Sequence, residues 1–213
     1  HNTNQSGGLA FPPLGSVDAA TALRRQGIEP LVELVQHKGE SECRPAVGSA
    51  DELCSFEKTS AVPPANDAPL SYVRNALKEG LAIGDAVGVN PYAVGFVGAT
   101  DTHNGTPGAT REDGFLGHAG ELDDSPTERL SGETKTFSPG GLTVLWAEEN
   151  TRDALFEAML RREAYATSGT RPLLRFFGGF GYPADLCDAA DFVAQAYAGG
   201  VPMGGEIGPS PGA

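Results

Sequence analysis

The stretch Val97-Gly-Ala-Thr-Asp101-Thr-His103 decides how the chain is interpreted, because a short apolar run leads directly into an aspartate and a histidine. Side chains alternate along a strand with a period of two, so Asp101 and His103 are expected on the same side of a strand end. A carboxylate and a neutral imidazole are ligands that zinc, manganese and iron accept. The alternative is that the two residues cap a turn. The stretch predicts half of a metal site.

Two further histidines, of the four in the chain, extend this pattern. His37 ends the apolar run Pro30-Leu-Val-Glu-Leu-Val-Gln-His37, and His1 opens the chain. Neighbouring parallel strands lie about 4.8 Å apart, so three adjacent strand ends would bring their side chains within roughly 10 Å of one another. We therefore expect a metal site built from His1, His37, Asp101 and His103. His118 follows a glycine in a loop and is interpreted as structural or exposed.

The composition limits the classes of partner. The 213 residues include 15 Lys and Arg against 28 Asp and Glu, which gives a net charge of −13. Such a charge argues against nucleic acid, because binding a phosphate backbone requires basic stripes. The sequence has no run of 18 apolar residues, so we expect no membrane span and no membrane partner.

Three cysteines bear on the compartment. Cys43 and Cys54 lie in one polar segment, where an oxidising compartment would join them in a local disulfide. The alternative is two reduced thiols in a cytosolic loop. We favour the disulfide, because so polar a loop has little else to hold it, and with it a periplasmic or secreted location. Cys187 is expected to be a small buried hydrophobic residue.

Helical and extended patterns alternate along the chain. Helices are expected over residues 16–27, 71–80 and 151–164, and extended segments over 28–36, 92–99, 142–147 and 165–177. This order predicts an α/β fold with parallel strands. In α/β barrels the chemistry lies where strands end and loops begin. The long loops 38–70 and 101–140 would then form the walls of an active site.

Four motifs together resemble a bacterial family known as domain of unknown function 3604. They are Gln36-His-Lys-Gly-Glu-Ser-Glu-Cys43, Gly98-Ala-Thr-Asp-Thr-His-Asn104, Trp146-Ala-Glu-Glu-Asn-Thr-Arg152 and Tyr165-Ala-Thr-Ser-Gly169. That family is similar to the polymerase-and-histidinol-phosphatase (PHP) superfamily of metal-dependent hydrolases. The resemblance implies a distorted (β/α)7 TIM-type barrel. Residues 1–177 would be the later part of the barrel, and residues 178–213 the Gly/Pro-rich beginning of a C-terminal region.

The resemblance also implies a metal centre with two or three divalent ions in the complete protein. Superfamily ligands comprise an early H-x-H, further His and Glu residues, and a late D-x-H. The late motif matches Asp101 and His103, the preceding histidine matches His37, and the one before that matches His1. The sequence contains no H-x-H. A missing N-terminal segment of the same protein would supply those ligands, so this fragment alone is expected to be poorly active.

The activity that the resemblance implies is hydrolysis of a small-molecule phosphoester, or of a related ester or amide, by water that zinc, manganese or iron activates. The alternative is a non-catalytic binding or scaffold protein that retains the barrel without its chemistry. No side chain is assigned as a catalytic acid or base.

Several polar residues near these motifs are candidates for supporting roles. Three could bind oxygen atoms of the substrate, although the two cations among them could equally be solvated loop residues: Lys38, Arg44 and Asn104. Two carboxylates close to His37 in sequence could orient it from outside the metal shell. The alternative for both is a solvated loop position: Glu40 and Glu42.

Overall fold

The computed structural model describes residues 11–45, 47–56, 58, 69–132 and 134–210. Within them, the α-helices are α1 (Ala19–Ile28), α2 (Val73–Val87), α3 (Pro126–Arg129), α4 (Arg152–Leu160) and α5 (Phe192–Gly199). The strands are β1 (Leu31–Gln36), β2 (Gly39–Glu40), β3 (Gly95–Gly98), β4 (Leu142–Leu145), β5 (Ala164–Thr167), β6 (Phe177–Gly178) and β7 (Val201–Pro202). Both α5 and β7 fall in the segment for which the sequence predicted only a Gly/Pro-rich tail.

The strands form three small sheets. In the first, with the order β2-β1-β3, β1 pairs in parallel with β3 and antiparallel with β2. The pairs β4-β5 and β6-β7 are both antiparallel. The β4-β5 pair lies beside β3, because the Thr143 hydroxyl donates to the Gly98 carbonyl at 2.7 Å and Gly141 N donates to the Ala99 carbonyl at 2.8 Å.

The predicted (β/α)7 barrel is wrong. A barrel requires parallel strands joined in a closed ring. Among the strands of the described residues, β1 and β3 are the one pair that runs parallel, and no ring closes. The segment β4-α4-β5 shows the reason. After α4 the chain returns beside β4 in the antiparallel direction, so that Leu145 at the end of β4 pairs with Ala164 at the start of β5. A parallel crossover and this antiparallel return have the same order of strand, helix and strand. The sequence pattern therefore did not distinguish them.

Helix α2 runs on to Val87, beyond its predicted end at Gly80. Gly80 faces Tyr92, where an added Cβ would lie 2.8 Å from the tyrosine Cβ. A glycine is therefore needed inside the helix for close packing rather than for termination. Gly88 ends the helix with a left-handed φ of 82°.

The main hydrophobic core lies between the first sheet and helices α1 and α2. The ring of Tyr92 packs edge-on against Phe11 with 5.0 Å between centroids, and its hydroxyl donates to the Pro12 carbonyl at 2.6 Å. Burial of side chains of this size contributes roughly 1.5–3 kcal/mol each. The buried members of the core are Phe11, Val17, Ala22, Val32, Val73, Ala76, Ile83 and Tyr92. This core holds β1 and β3 in place.

The predicted disulfide between Cys43 and Cys54 is confirmed, with Cα atoms 5.3 Å apart. Both cysteines are buried. Cys187 is unpaired but exposed, so its predicted burial is wrong. Across the described parts of the chain, helices are too short or too polar to pass through a bilayer.

The disulfide loop is also fastened to α2 by charge. The guanidinium of Arg74 donates to Glu42 Oε1 at 2.7 Å and to Asp51 Oδ2 at 2.7 Å. The backbone N–H of Val73 donates to the Ser41 carbonyl at 3.0 Å. Because these exposed ion pairs contribute little to stability, the covalent bond is the principal restraint on the loop.

We predict that replacing both Cys43 and Cys54 by alanine lowers the free energy of unfolding by about 3 kcal/mol, the loop-closure value for a short loop. Urea denaturation would measure this, with Cys187→Ser as a control that changes little. An unchanged free energy of unfolding, or alkylation of both thiols in the native, unreduced protein, would contradict the prediction.

Candidate functional site

The parallel pairing of β1 with β3 brings two distant segments to one edge. Val35 pairs with Gly98 near the ends of the two strands, and the chain continues from there into His37 and Asp101. The N–H of His37 donates to the Thr100 carbonyl at 3.0 Å, which extends the pairing past the strand ends. Carboxyl ends of parallel strands are where α/β proteins place their functional groups. This edge is the candidate site.

His37 is buried at the turn between β1 and β2, with 1% of its surface exposed. The carbonyl of His37 accepts from Ser138 N at 2.9 Å. The following chain covers the ring at Gly140, which has a φ of 73° and where an added Cβ would lie 3.0 Å from His37 Cδ2. A glycine at this position is therefore required for the chain to close over the imidazole.

His118 is the site residue that the sequence analysis missed. It is 5% exposed, and its Nδ1 lies 3.1 Å from the Nδ1 of His37. Its ring centroid is also 4.2 Å from that of His103. His118 therefore stands between the two predicted histidines. The one signal in the sequence was the scarcity of histidine, which made each of the four a candidate.

The loop that carries His103 and His118 is fixed by hydrogen bonds to its own backbone. The buried carboxylate of Asp123 accepts from His118 N at 2.6 Å and from Ala119 N at 2.8 Å. The N–H of His103 donates to the His118 carbonyl at 2.8 Å. The side chain of Asn104, a predicted substrate ligand, donates to the Gly117 carbonyl at 3.0 Å and so also holds the loop.

Asp101 presents its two carboxylate oxygens to different partners. Oδ2 accepts from Gln36 Nε2 at 2.9 Å and from the Lys38 ammonium. Oδ1 lies 3.7 Å from Nε2 of His103, whose side chain is 60% exposed. Asp101 has a φ of 49°, a left-handed conformation that aspartate visits more readily than most residues and that is found at functional sites.

The electrostatic environment holds His37, His118 and Asp101 in the protonation states that bind metals. Burial lowers the pKa of His37, and the charge of Lys38 lowers it further. Burial, with Lys38 and the other two imidazoles, lowers the pKa of His118 to about 4. Burial raises the pKa of Asp101, but the ammonium of Lys38 outweighs it and the net pKa is lowered. Metal ligation requires neutral imidazole and ionised carboxylate.

Glu33 is a second carboxylate that the sequence analysis did not single out. It lies on β1 opposite Val97, and its pKa is raised by burial and then by the negative charge of Asp101. A polar residue in an alternating strand resembles a solvent-facing position, so the pattern gave no signal. A carboxyl group with a raised pKa beside an ionised carboxylate is suited to proton transfer.

Most of the remaining predicted residues contact groups outside the candidate site. The carboxylate of Glu40 pairs with Lys58, and that of Glu42 pairs with Arg74 at 2.6 Å, so both face the disulfide loop and α2. The Arg44 guanidinium donates to the Tyr72 hydroxyl at 3.4 Å. Only Lys38 of the three proposed substrate ligands contacts Asp101. His1 lies outside the described residues.

The donor types at this edge fit a divalent metal, but they are not assembled as a closed shell. Three imidazoles and a carboxylate are ligands for zinc, manganese or iron. Nε2 of His37 is buried and has no hydrogen-bond partner in the described part of the chain. Nevertheless, the described residues contain no group of three or more His, Cys, Asp or Glu side chains positioned to hold one ion.

We predict that His118 in chelator-treated protein titrates near pH 4, because burial and neighbouring positive charge oppose its protonation. Its unfolded pKa is near 6.5, so between pH 6.5 and 4 the unfolded chain binds the proton more readily and stability falls as the pH falls. Histidine NMR titration would measure the pKa, and urea unfolding the stability.

The matched variant is His118→Gln, which should lose less stability over the same pH range. A His118 pKa near 6.5, or equal acid sensitivity in the variant, would contradict the burial and the contacts described for this ring.

Comparison with known proteins places the chain in a family. No curated protein and no solved structure gives a significant match. The family model described as "Protein of unknown function (DUF3604)" matches residues 1–212. This confirms the family resemblance predicted from the four motifs. Because the match spans nearly the whole chain, the protein belongs to the DUF3604 family.

Proposed function

We propose that this edge belongs to a metal-dependent hydrolase that cleaves a phosphoester, or a related ester or amide bond, of a small molecule. The observation that carries the proposal is the convergence of His37, Asp101, His103 and His118. The lowered pKa values of His37, His118 and Asp101 favour neutral imidazoles and an ionised carboxylate, which suit metal binding. The late D-x-H motif, which resembles that of the PHP superfamily, points to the same chemistry.

Asp101 and His103 are the residues that would hold the metal most directly. Two atoms that each bind a zinc-like ion at about 2.1 Å can lie at most about 4.2 Å apart. Asp101 Oδ1 and His103 Nε2 are 3.7 Å apart, within that limit. His37 and His118 are the residues that would add imidazole nitrogens.

Each group then has a separate task. A bound divalent metal would supply Lewis acidity and lower the pKa of a water. Gln36 orients Asp101 through its Oδ2. Because the pKa of Glu33 is raised, its carboxyl group keeps its proton to a higher pH than an ordinary glutamate does. This suits donation of that proton to a leaving group. Closure of the chain at Gly140 excludes water from the His37 side.

One observation favours a second candidate, a binding protein without catalysis. Oδ2 of Asp101 already accepts from Gln36 and Lys38, and the Nδ1 atoms of His37 and His118 face each other. These contacts engage Oδ2 of Asp101 and both Nδ1 atoms without a metal. Under this alternative the edge would be a structural polar network, and purified protein would contain no stoichiometric metal.

We also propose a periplasmic or secreted location. The buried disulfide between Cys43 and Cys54 supports it, because such bonds persist in oxidising compartments.

We predict that the purified chain binds zinc, manganese or iron weakly and hydrolyses an activated phosphoester, ester or amide slowly, and that a chelator abolishes this activity. Asp101→Asn should lower both metal content and hydrolysis by about 100-fold or more, since loss of even an outer partner of a metal ligand costs roughly 10–100-fold. Elemental analysis and a chromogenic substrate panel would measure the two quantities.

Asp113→Asn is the matched control. Asp113 pairs with Arg111 in an exposed ion pair, so the same chemical change there should alter neither metal content nor activity. Protein that lacks metal, or an Asp101→Asn variant as active as the wild type, would sink the hydrolase proposal. Metal-free protein that is fully folded would favour the binding protein.

A further inference from the structure

We infer that Lys38 sets the metal affinity of this edge by holding a competing positive charge on Asp101. The inference rests on the proposed metal site and adds a residue that tunes it. The sequence suggested Lys38 as a substrate ligand. Its position in the structure gives it a second role, in which it acts on the carboxylate that would bind the metal.

The geometry fixes Lys38 at this carboxylate. Lys38 follows His37 in the short turn between β1 and β2, and its backbone N–H donates to Gln36 Oε1 at 3.1 Å. Its ammonium donates to Asp101 Oδ2. The Lys38 side chain is 19% exposed and that of Asp101 is 39% exposed, so solvent screens this ion pair only partly.

The positive charge of Lys38 opposes the binding of a divalent ion to Asp101. The oxygen that faces His103 belongs to the same carboxylate that the ammonium contacts, so a divalent ion held by Asp101 would share this carboxylate with the positive charge of Lys38. Repulsion between like charges at such a distance is large when water screens it only partly. The ammonium also neutralises the carboxylate that attracts the metal. Both effects weaken binding.

Lys38 is not required to orient Asp101. Gln36 is 2% exposed, and its amide donates to the same Oδ2 at 2.9 Å. The backbone around Asp101 is held separately, by His37 N on the Thr100 carbonyl. Removal of the ammonium should therefore leave the carboxylate in place but with its full negative charge available.

The experiment is calorimetric titration of Zn²⁺ and of Mn²⁺ into the chelator-stripped protein. We expect Lys38→Met to bind at least about 10-fold more tightly than the wild type, since one opposing unit charge is gone. Lys38→Arg keeps the charge and should bind like the wild type. Lys78→Met removes an exposed lysine from α2 and serves as the matched control.

The outcomes separate the inference from the proposed function. If the wild type binds metal and Lys38→Met binds equally or more weakly, the inference is overturned while the metal site stands. If neither binds, both are overturned. Thermal unfolding of each metal-free variant checks that it is folded, and Lys38→Gln replaces Lys38→Met if the latter is not. Tighter binding by Lys78→Met as well would show a nonspecific charge effect and would also overturn the inference.

Discussion

The parallel pairing of β1 with β3 is the constraint on which the candidate site depends. It places His37 and Asp101 at one edge, although they lie far apart in the sequence. The pairing continues past the strand ends, because Ala99 N donates to the Val35 carbonyl and His37 N donates to the Thr100 carbonyl. The core beneath, built from α1, α2 and the sheet, holds the two strands in register. A shift of one residue would turn the site side chains to the opposite face.

The edge has a buried inner part and a more exposed outer part. His37 and His118 are buried and neutral, and they contact each other through Nδ1. Asp101 and His103 lie at the more exposed mouth, where a small ligand can reach them. Lys38 connects the two, since its charge lowers the pKa of the inner imidazoles and its ammonium binds the outer carboxylate. One lysine thus influences His37, His118 and Asp101 together.

The sequence predicted the local features better than the global ones. Strand ends, the disulfide between Cys43 and Cys54 and the family were accessible, because each depends on residues close together in the chain or on a motif. The closed barrel was wrong, because strand direction is decided by tertiary pairing, as at β4 and β5. His118 was missed because a loop held by the buried Asp123 carries it to His37, and loop closure leaves no periodic pattern.

We propose that the imidazoles at this edge share one metal site. The most direct measurement is a titration of Mn²⁺ into the protein, followed by NMR of the histidine ring resonances. We expect substoichiometric Mn²⁺ to broaden the signals of His37, His103 and His118 together. The methyl signal of Met203, which lines a pocket with Gly95 at the opposite end of β3, should remain sharp. Broadening confined to exposed carboxylates elsewhere, with the three histidine signals unchanged, would contradict it.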